Sequence, residues 1–182
     1  GDSPMSTLKV DTIQGKTTAG TVAMPAGHIV QVLSTTKTTE QSISGSSFVD
    51  ISGLSQAITP KFSTSKILIQ VNVSFSGEEN SYIAFKILRD TTEILKNTES
   101  NTGLECSGGG TIPSGSTENY AVHKESMSGF DSPNTTSETT YKVQISPMRT
   151  SSKLAYVNRA HTRGDDNQVN TASTITLMEI KQ

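Results

Sequence analysis

Ile, Leu, Val and Phe supply only 39 of the 182 residues, yet the formal net charge is −2, so the chain avoids the pairing of low apolarity with high charge that keeps a polypeptide disordered. Its 15 Lys and Arg are scattered against 17 Asp and Glu, which excludes the concentrated basic surface of a nucleic-acid-binding protein. No apolar run approaches the roughly 20 residues needed to insert across a membrane, and no basic-then-apolar start marks a signal peptide.

Val, Ile and Thr number 51, and such β-branched side chains fit a pleated surface better than a helix. Gly1 to Pro4 reads as a cloning remnant ahead of a natural start at Met5. From Ser6 to Gly27 the chain is polar, with Leu8, Val10 and Ile13 its only sizeable apolar residues before Val22. Residues 5–27 are therefore expected to form an extended N-terminal arm closing in a Met24-Pro25-Ala26-Gly27 turn. An arm that cannot bury itself lies on a neighbour or stays mobile.

Residues 28–182 are expected to form one all-β domain. His28 to Ser34 and Phe48 to Ile51 read as its first strands. The clearest strand is Lys66 to Ser76, where Ile67, Ile69, Val71, Val73 and Phe75 alternate with Leu68, Gln70, Asn72, Ser74 and Ser76. Gly77 ends it. Tyr82 to Leu88 follows with Ile83, Phe85 and Ile87 on one side, and Asp90-Thr91-Thr92 turns into Glu93 to Lys96. Tyr120 to Lys124, Thr139 to Ser146, Leu154 to Asn158 and Ser173 to Ile180 complete the set. In the last, Ile175 and Leu177 share one face and Met178 and Ile180 the other. Gly103 to Ser116 and Gly129 to Thr136 read as loops. About eight short strands suit an antiparallel β-sandwich with one wet face per sheet, and a jelly roll is its favoured variety.

Four segments carry a resemblance: Ser6-Thr-Leu-Lys-Val-Asp-Thr-Ile-Gln14, Ile51-Ser-Gly-Leu-Ser-Gln-Ala-Ile-Thr-Pro60, Asp131-Ser-Pro-Asn-Thr-Thr136 leading to Tyr141-Lys-Val-Gln144, and Ser173-Thr-Ile-Thr-Leu-Met-Glu-Ile180. Together they resemble small virion or tail-fibre-like proteins of marine bacteriophages, including cyanophages, over most of the chain from Met5. The resemblance implies a jelly-roll knob akin in shape to tumour-necrosis-factor and complement C1q heads, assembled as a homotrimer on the phage particle. It implies other virion proteins and host-surface glycans as partners, and it carries no active-site motif and no cofactor. A sandwich with few large apolar residues independently gains stability by packing on its own copies. The alternative is a structural capsid decoration or connector that docks through the arm.

Catalytic chemistry finds little support, and the chain is read as a non-enzyme. Three histidines, His28, His123 and His161, stand among 26 serines, but no Gly-x-Ser-x-Gly elbow or other fixed frame accompanies them. Glu78-Glu79 and Asp165-Asp166 are adjacent acids of the sort that point apart into water, and with no Trp and four Tyr the chain lacks the aromatic platforms of a polysaccharide-cleaving enzyme. Cys106 is the single cysteine, so it forms no disulfide within one chain. Gly108-Gly109-Gly110 lacks the Gly-Lys-Ser/Thr ending of a phosphate loop and reads as a flexible loop tip. No metal site is expected within one chain. His28, at the start of the first strand, is the one candidate for sharing an ion at a symmetry axis, against the plainer reading of a partly exposed histidine.

Recognition sits on sandwich loops, and 103–117, 124–133 and 159–171 are the most variable-looking. The last holds Arg159, His161, Arg163, Asp165, Asp166 and Asn167, which can hydrogen-bond sugar hydroxyls or lipopolysaccharide phosphates. This loop is the candidate receptor-binding site, against the alternative that it closes a hairpin or packs on a neighbouring subunit. Its Arg163-Gly164-Asp165 tripeptide reads as turn chemistry.

Overall fold

The computed structural model describes residues 25–99, 103–115, 118–148, 153–162 and 169–182. The expected remnant at 1–4 and all but the last three residues of the expected arm lie outside these. Among the described residues the strands are β1 (Ile29–Lys37), β2 (Gln41–Ser44), β3 (Val49–Ile58), β4 (Lys66–Gly77), β5 (Ser81–Arg89), β6 (Thr92–Ile94), β7 (Gly108–Ile112), β8 (His123–Asp131), β9 (Thr139–Pro147), β10 (Leu154–Val157) and β11 (Ser173–Ile180), with one 3-10 turn at Glu118–Tyr120.

Every ladder is antiparallel, and three strands are interrupted. The line of β1 continues into β2, pairing with the matching line of β11 and β10. Likewise β6 and β7 share one edge of β5. One sheet is thus β1/β2–β11/β10–β4–β8, and the other is β3–β9–β5–β6/β7. With each interrupted line counted as one strand, consecutive strands cross between the sheets except where β5 turns directly back into β6, which is the jelly-roll order. The fold class read from the sequence is therefore the one observed.

The core lies between the sheets. In β4, Ile67, Ile69, Val71, Val73 and Phe75 are each at most 3 % exposed. They meet Ile83, Phe85 and Ile87 of β5 and Tyr141, Val143 and Ile145 of β9 in one cluster. The Phe75 and Phe85 rings sit edge to face with centroids 5.1 Å apart. Burying each such aliphatic side chain contributes about 1.5–3 kcal/mol, so a short apolar list suffices when nearly all of it points inward.

Parts of two expected loops, Gly103 to Ser116 and Gly129 to Thr136, are strand. The run at Gly108–Gly110 forms most of β7, because glycine is what the packing there admits. A Cβ on Gly108 would come within 2.5 Å of the Glu125 Oε1 and 2.8 Å of the Met127 Sδ, and one on Gly109 within 2.7 Å of the Ile83 carbonyl oxygen. Residues 123–131, of which the sequence suggests only the first two as strand, pair with β4 from Phe75 to Ile67 as β8. β2 is not foreseen at all. β3 extends past Ile51 through an irregularity in its pairing with β9, where Gly53 takes a positive φ of 76°.

Buried polar groups close the ends. Glu179 is fully buried, and its carboxylate accepts from the backbone N–H groups of Lys61 and Phe62 at 2.8 and 3.2 Å and from Gln31 Nε2 at 2.6 Å. Near the same end, the buried Tyr141 hydroxyl donates to Asp131 at 2.7 Å, and Arg89 Nη1 reaches the same carboxylate at 2.8 Å. Burial first, and the bond to Asp131 second, hold the Tyr141 phenol far above its ordinary pKa. This trio ties β8 of one sheet to β5 and β9 of the other.

Asn158 joins the interrupted strands. It is 1 % exposed, with a positive φ of 64°, a conformation Asn tolerates better than most residues. Its Nδ2 donates to the Lys37 and Thr39 carbonyls at 2.8 and 3.0 Å, across the break between β1 and β2. Its Oδ1 accepts from Ser173 Oγ at 2.6 Å, and that oxygen accepts from the Ser74 N–H at 3.0 Å. Its backbone N–H donates to the Ser74 carbonyl and its carbonyl accepts from the Thr171 N–H.

Asn158→Ala is expected to cost about 3 kcal/mol, because it orphans buried carbonyls and leaves a strained φ. Asn158→Gly relieves the backbone part only and should fall between Ala and wild type; urea unfolding ranks the three. Burial also lowers the pKa of Lys37, a residue 4 % exposed whose ammonium donates to Thr39 Oγ1. The folded-state pKa lies below the unfolded one, so the charged form is penalised at neutral pH and stability rises as pH climbs through the lowered value toward the unfolded one. Lys37→Met is expected to abolish that alkaline rise in Tm, measured by melts at stepped pH.

Candidate receptor-contact surface

The sandwich has two unlike ends. The Gly27 N–H donates to the Lys181 carbonyl at 2.7 Å, so the described chain starts and finishes at one end, beside the first residues of β4. The opposite end collects the links that follow β2, β4, β7 and β9, since Ser44 pairs with Leu154, Gly77 with Ala155, Ser81 with Ile112 and Ile83 with Pro147. Strand pairing thus gathers segments distant in sequence into one loop surface.

Of the six residues expected at the receptor site, Arg159 and His161 are described, whereas Arg163, Asp165, Asp166 and Asn167 lie outside the described residues. Arg159 stacks its guanidinium 4.4 Å from the Tyr156 ring centroid and donates to the Ala160 and His161 carbonyls at 2.9 Å each. The His161 ring lies 5.3 Å from the same tyrosine, and its Nδ1 is 3.0 Å from Asn119 Oδ1. The Thr162 N–H donates to the Asn119 carbonyl at 2.8 Å. Burial raises the Tyr156 phenol above its ordinary pKa, opposed by the Arg159 charge. Both described residues thus fasten the base of the loop to Tyr156 and the 3-10 turn. Beside them Tyr120 is 52 % exposed.

A second surface was not foreseen. An open depression of about 530 Å³ lies against β5 and β7, floored by Gly108, Gly109 and Gly110 and bordered by Tyr82, Leu104 and Met148. Tyr82 and Leu104 are each 49 % exposed. The glycines that let β7 approach β5 also leave room beside an aromatic ring. The signals in the sequence are the triple glycine and the outward alternation of Tyr82 and Ala84, readable only once β7 is known to be a strand. Cys106 lines this depression and is partly exposed.

The acidic pair Glu78-Glu79 is divided between partners: Glu78 faces Lys153 at 3.3 Å, and Glu79 accepts from the Gly115 N–H at 2.9 Å. Asp165-Asp166 lies outside the described residues. His28 is exposed at the terminal end, His123 packs 5.6 Å from the Phe75 ring, and His161 sits on Tyr156. Among the described residues no three His, Cys, Asp or Glu side chains gather as a metal-binding group.

His161→Ala and Asn119→Ala are each expected to lower stability by about 1 kcal/mol, the net worth of one such bond, and the double substitution by less than the sum. Thermal melts of the two singles and the double check this. Full additivity would separate the residues and remove the anchoring role. No protein-family model matches the sequence, and no curated protein matches it.

Proposed function

We propose that this chain is a virion fibre or knob protein of a bacteriophage, acting as a homotrimer that adheres to host-surface glycans and catalyses nothing. The observation that carries the reading is the molecule's polarity. The described chain starts and finishes at one end, at Gly27 and Lys181, and the links that follow β2, β4, β7 and β9 collect at the other. A particle appendage needs that arrangement, with an attachment end and a presenting end. The resemblance of segments 6–14, 51–60, 131–144 and 173–180 to tail-fibre-like proteins supports the same reading.

Contact falls to the two exposed tyrosines, Tyr82 beside the glycine floor and Tyr120 beside the loop base, because a phenol ring offers an apolar face to a sugar ring and a hydroxyl to its edge. Each contact is modest. Three heads on one trimer, and many trimers on one particle, convert modest contacts into firm attachment.

The engagement of Arg159 and His161 in internal contacts favours a second reading, a decoration or connector that docks through residues 5–27 and presents no receptor site.

On a glycan array the full chain is expected to bind a defined subset of sugars, and Tyr82→Ala or Tyr120→Ala to weaken that binding at least tenfold without changing the melting curve. Absence of any hit at high protein concentration sinks adhesion. Loss of incorporation into particles on deleting residues 5–24, with no sugar bound by the full chain, selects the connector.

A further inference from the structure

We infer that the outer face of the β1–β11–β4–β8 sheet is the surface through which copies of this chain meet. The inference rests on the homo-oligomeric reading above and adds to it the face, its chemistry and the direction of the symmetry axis.

Register lays out this face in rows across four strands. Val32, Met178, Leu68 and Phe130 stand side by side in the first row. Ser34, Thr176, Gln70 and Ser128 make the second, and Thr36, Thr174, Asn72 and Ser126 the third. None of these positions carries a charge in a chain that is 18 % charged. Lys66 borders the field at the terminal end, beside Ile180, and Lys124 at the loop end, beside Ser74. The first row is apolar and open: Phe130 is 57 % and Val32 is 52 % exposed, and Ile29 beyond them is 46 % exposed.

The other sheet's outer face is built differently. There Lys142 pairs with Asp50 at 2.9 Å and Lys86 with Glu93 at 2.5 Å, and bonds from Gln144 and Lys142 lower the Asp50 pKa. Charges of this kind are at home in water and are depleted from the centres of protein interfaces. The difference between the two faces is what a molecule shows when one is wet and the other is covered.

Three features name a second copy as the cover. The field is neutral, so it offers no attraction to a charged partner. Its hydroxyls and amides both donate and accept, so an identical ladder can match it. Some of these groups already satisfy one another, Ser34 with Thr176 at 2.9 Å and Ser126 with Asn72 at 2.6 Å, which reduces the cost of removing them from water. The strands also run from the terminal end to the loop end. Copies joined through this face about an axis along the strands keep every attachment end together and every loop surface together, as a closed ring requires.

The test is solution mass by light scattering on the full chain, for wild type, Phe130→Lys, Ser128→Glu and the opposite-face control Ser55→Lys, each checked for native circular dichroism. Wild type and Ser55→Lys are expected at a multiple of the 19.4 kDa chain, with Phe130→Lys and Ser128→Glu falling to 19.4 kDa at the same concentration. Two sites are used because Ser128 is a small exposed residue whose replacement leaves the apolar row intact. Native-like Phe130→Lys and Ser128→Glu that keep the wild-type mass overturn this face while leaving the oligomer standing. A wild type of 19.4 kDa throughout the micromolar range overturns both. Loss of mass on deleting residues 5–24, with Phe130→Lys unaffected, assigns assembly to the arm and overturns the face.

Discussion

The hydrogen bonds around Asn158 hold together what would otherwise be four separate strands, two of them short. β1 and β2 break between Lys37 and Gln41, and β10 and β11 break between Val157 and Ser173. Four-residue strands such as β2 and β10 have little independent stability. One buried amide spans both breaks, reaching the carbonyls of residues 37 and 39 on one side and Ser173 on the other. Through Ser173 it also holds Ser74 near the far end of β4. The long central strand is therefore flanked by a continuous surface rather than by fragments, and the core can close over its whole length.

From that continuity follow the two contrasts that bear on function. Along the strands, chain entry and exit lie at one end and the converging loops at the other. Across the sandwich, one outer face is neutral and partly oily while the other is laced with ion pairs. Neither contrast depends on a single residue. Both arise because the jelly-roll order places strands far apart in sequence into common rows, so that Val32, Met178, Leu68 and Phe130 become neighbours.

The fold was largely legible because its central strand is. Eleven residues of strict alternation in β4 state both the strand and its buried side, and β5, β9 and β11 repeat the pattern with Ile, Val, Leu and Phe. The misread segments are those where something other than side-chain hydrophobicity sets the structure. β7 is a strand by its pairing with β5, where Glu125, Met127 and Ile83 leave no room for a Cβ at Gly108 and Gly109, and a run of glycine carries no periodicity to show it. In β8 the single well-buried apolar side chain is Met127, set among serines, so its pairing with β4 outweighs its composition. The candidate loop was less legible. Arg159 and His161 look like free polar groups in sequence, and only the fold brings Tyr156 and Asn119 against them. The glycine-floored depression needed β7 as a strand before it could be seen.

The closed base of the excursion between β10 and β11 has an evolutionary consequence. Asn158 and Thr171 are joined by a backbone hydrogen bond of 3.1 Å, and Asn158 and Ser173 by a side-chain bond of 2.6 Å, so the two feet of the excursion are fixed to one another and to the sheet. Whatever residues lie between those feet, the sheet is presented with the same pair of ends. Lengthening a loop whose ends are already held costs only about 0.6 kcal/mol per doubling of length. Between these feet, changes of length therefore cost the sandwich little. Such changes are thermodynamically cheap for a lineage, and a foreign peptide grafted between the feet would begin and end on the same anchors.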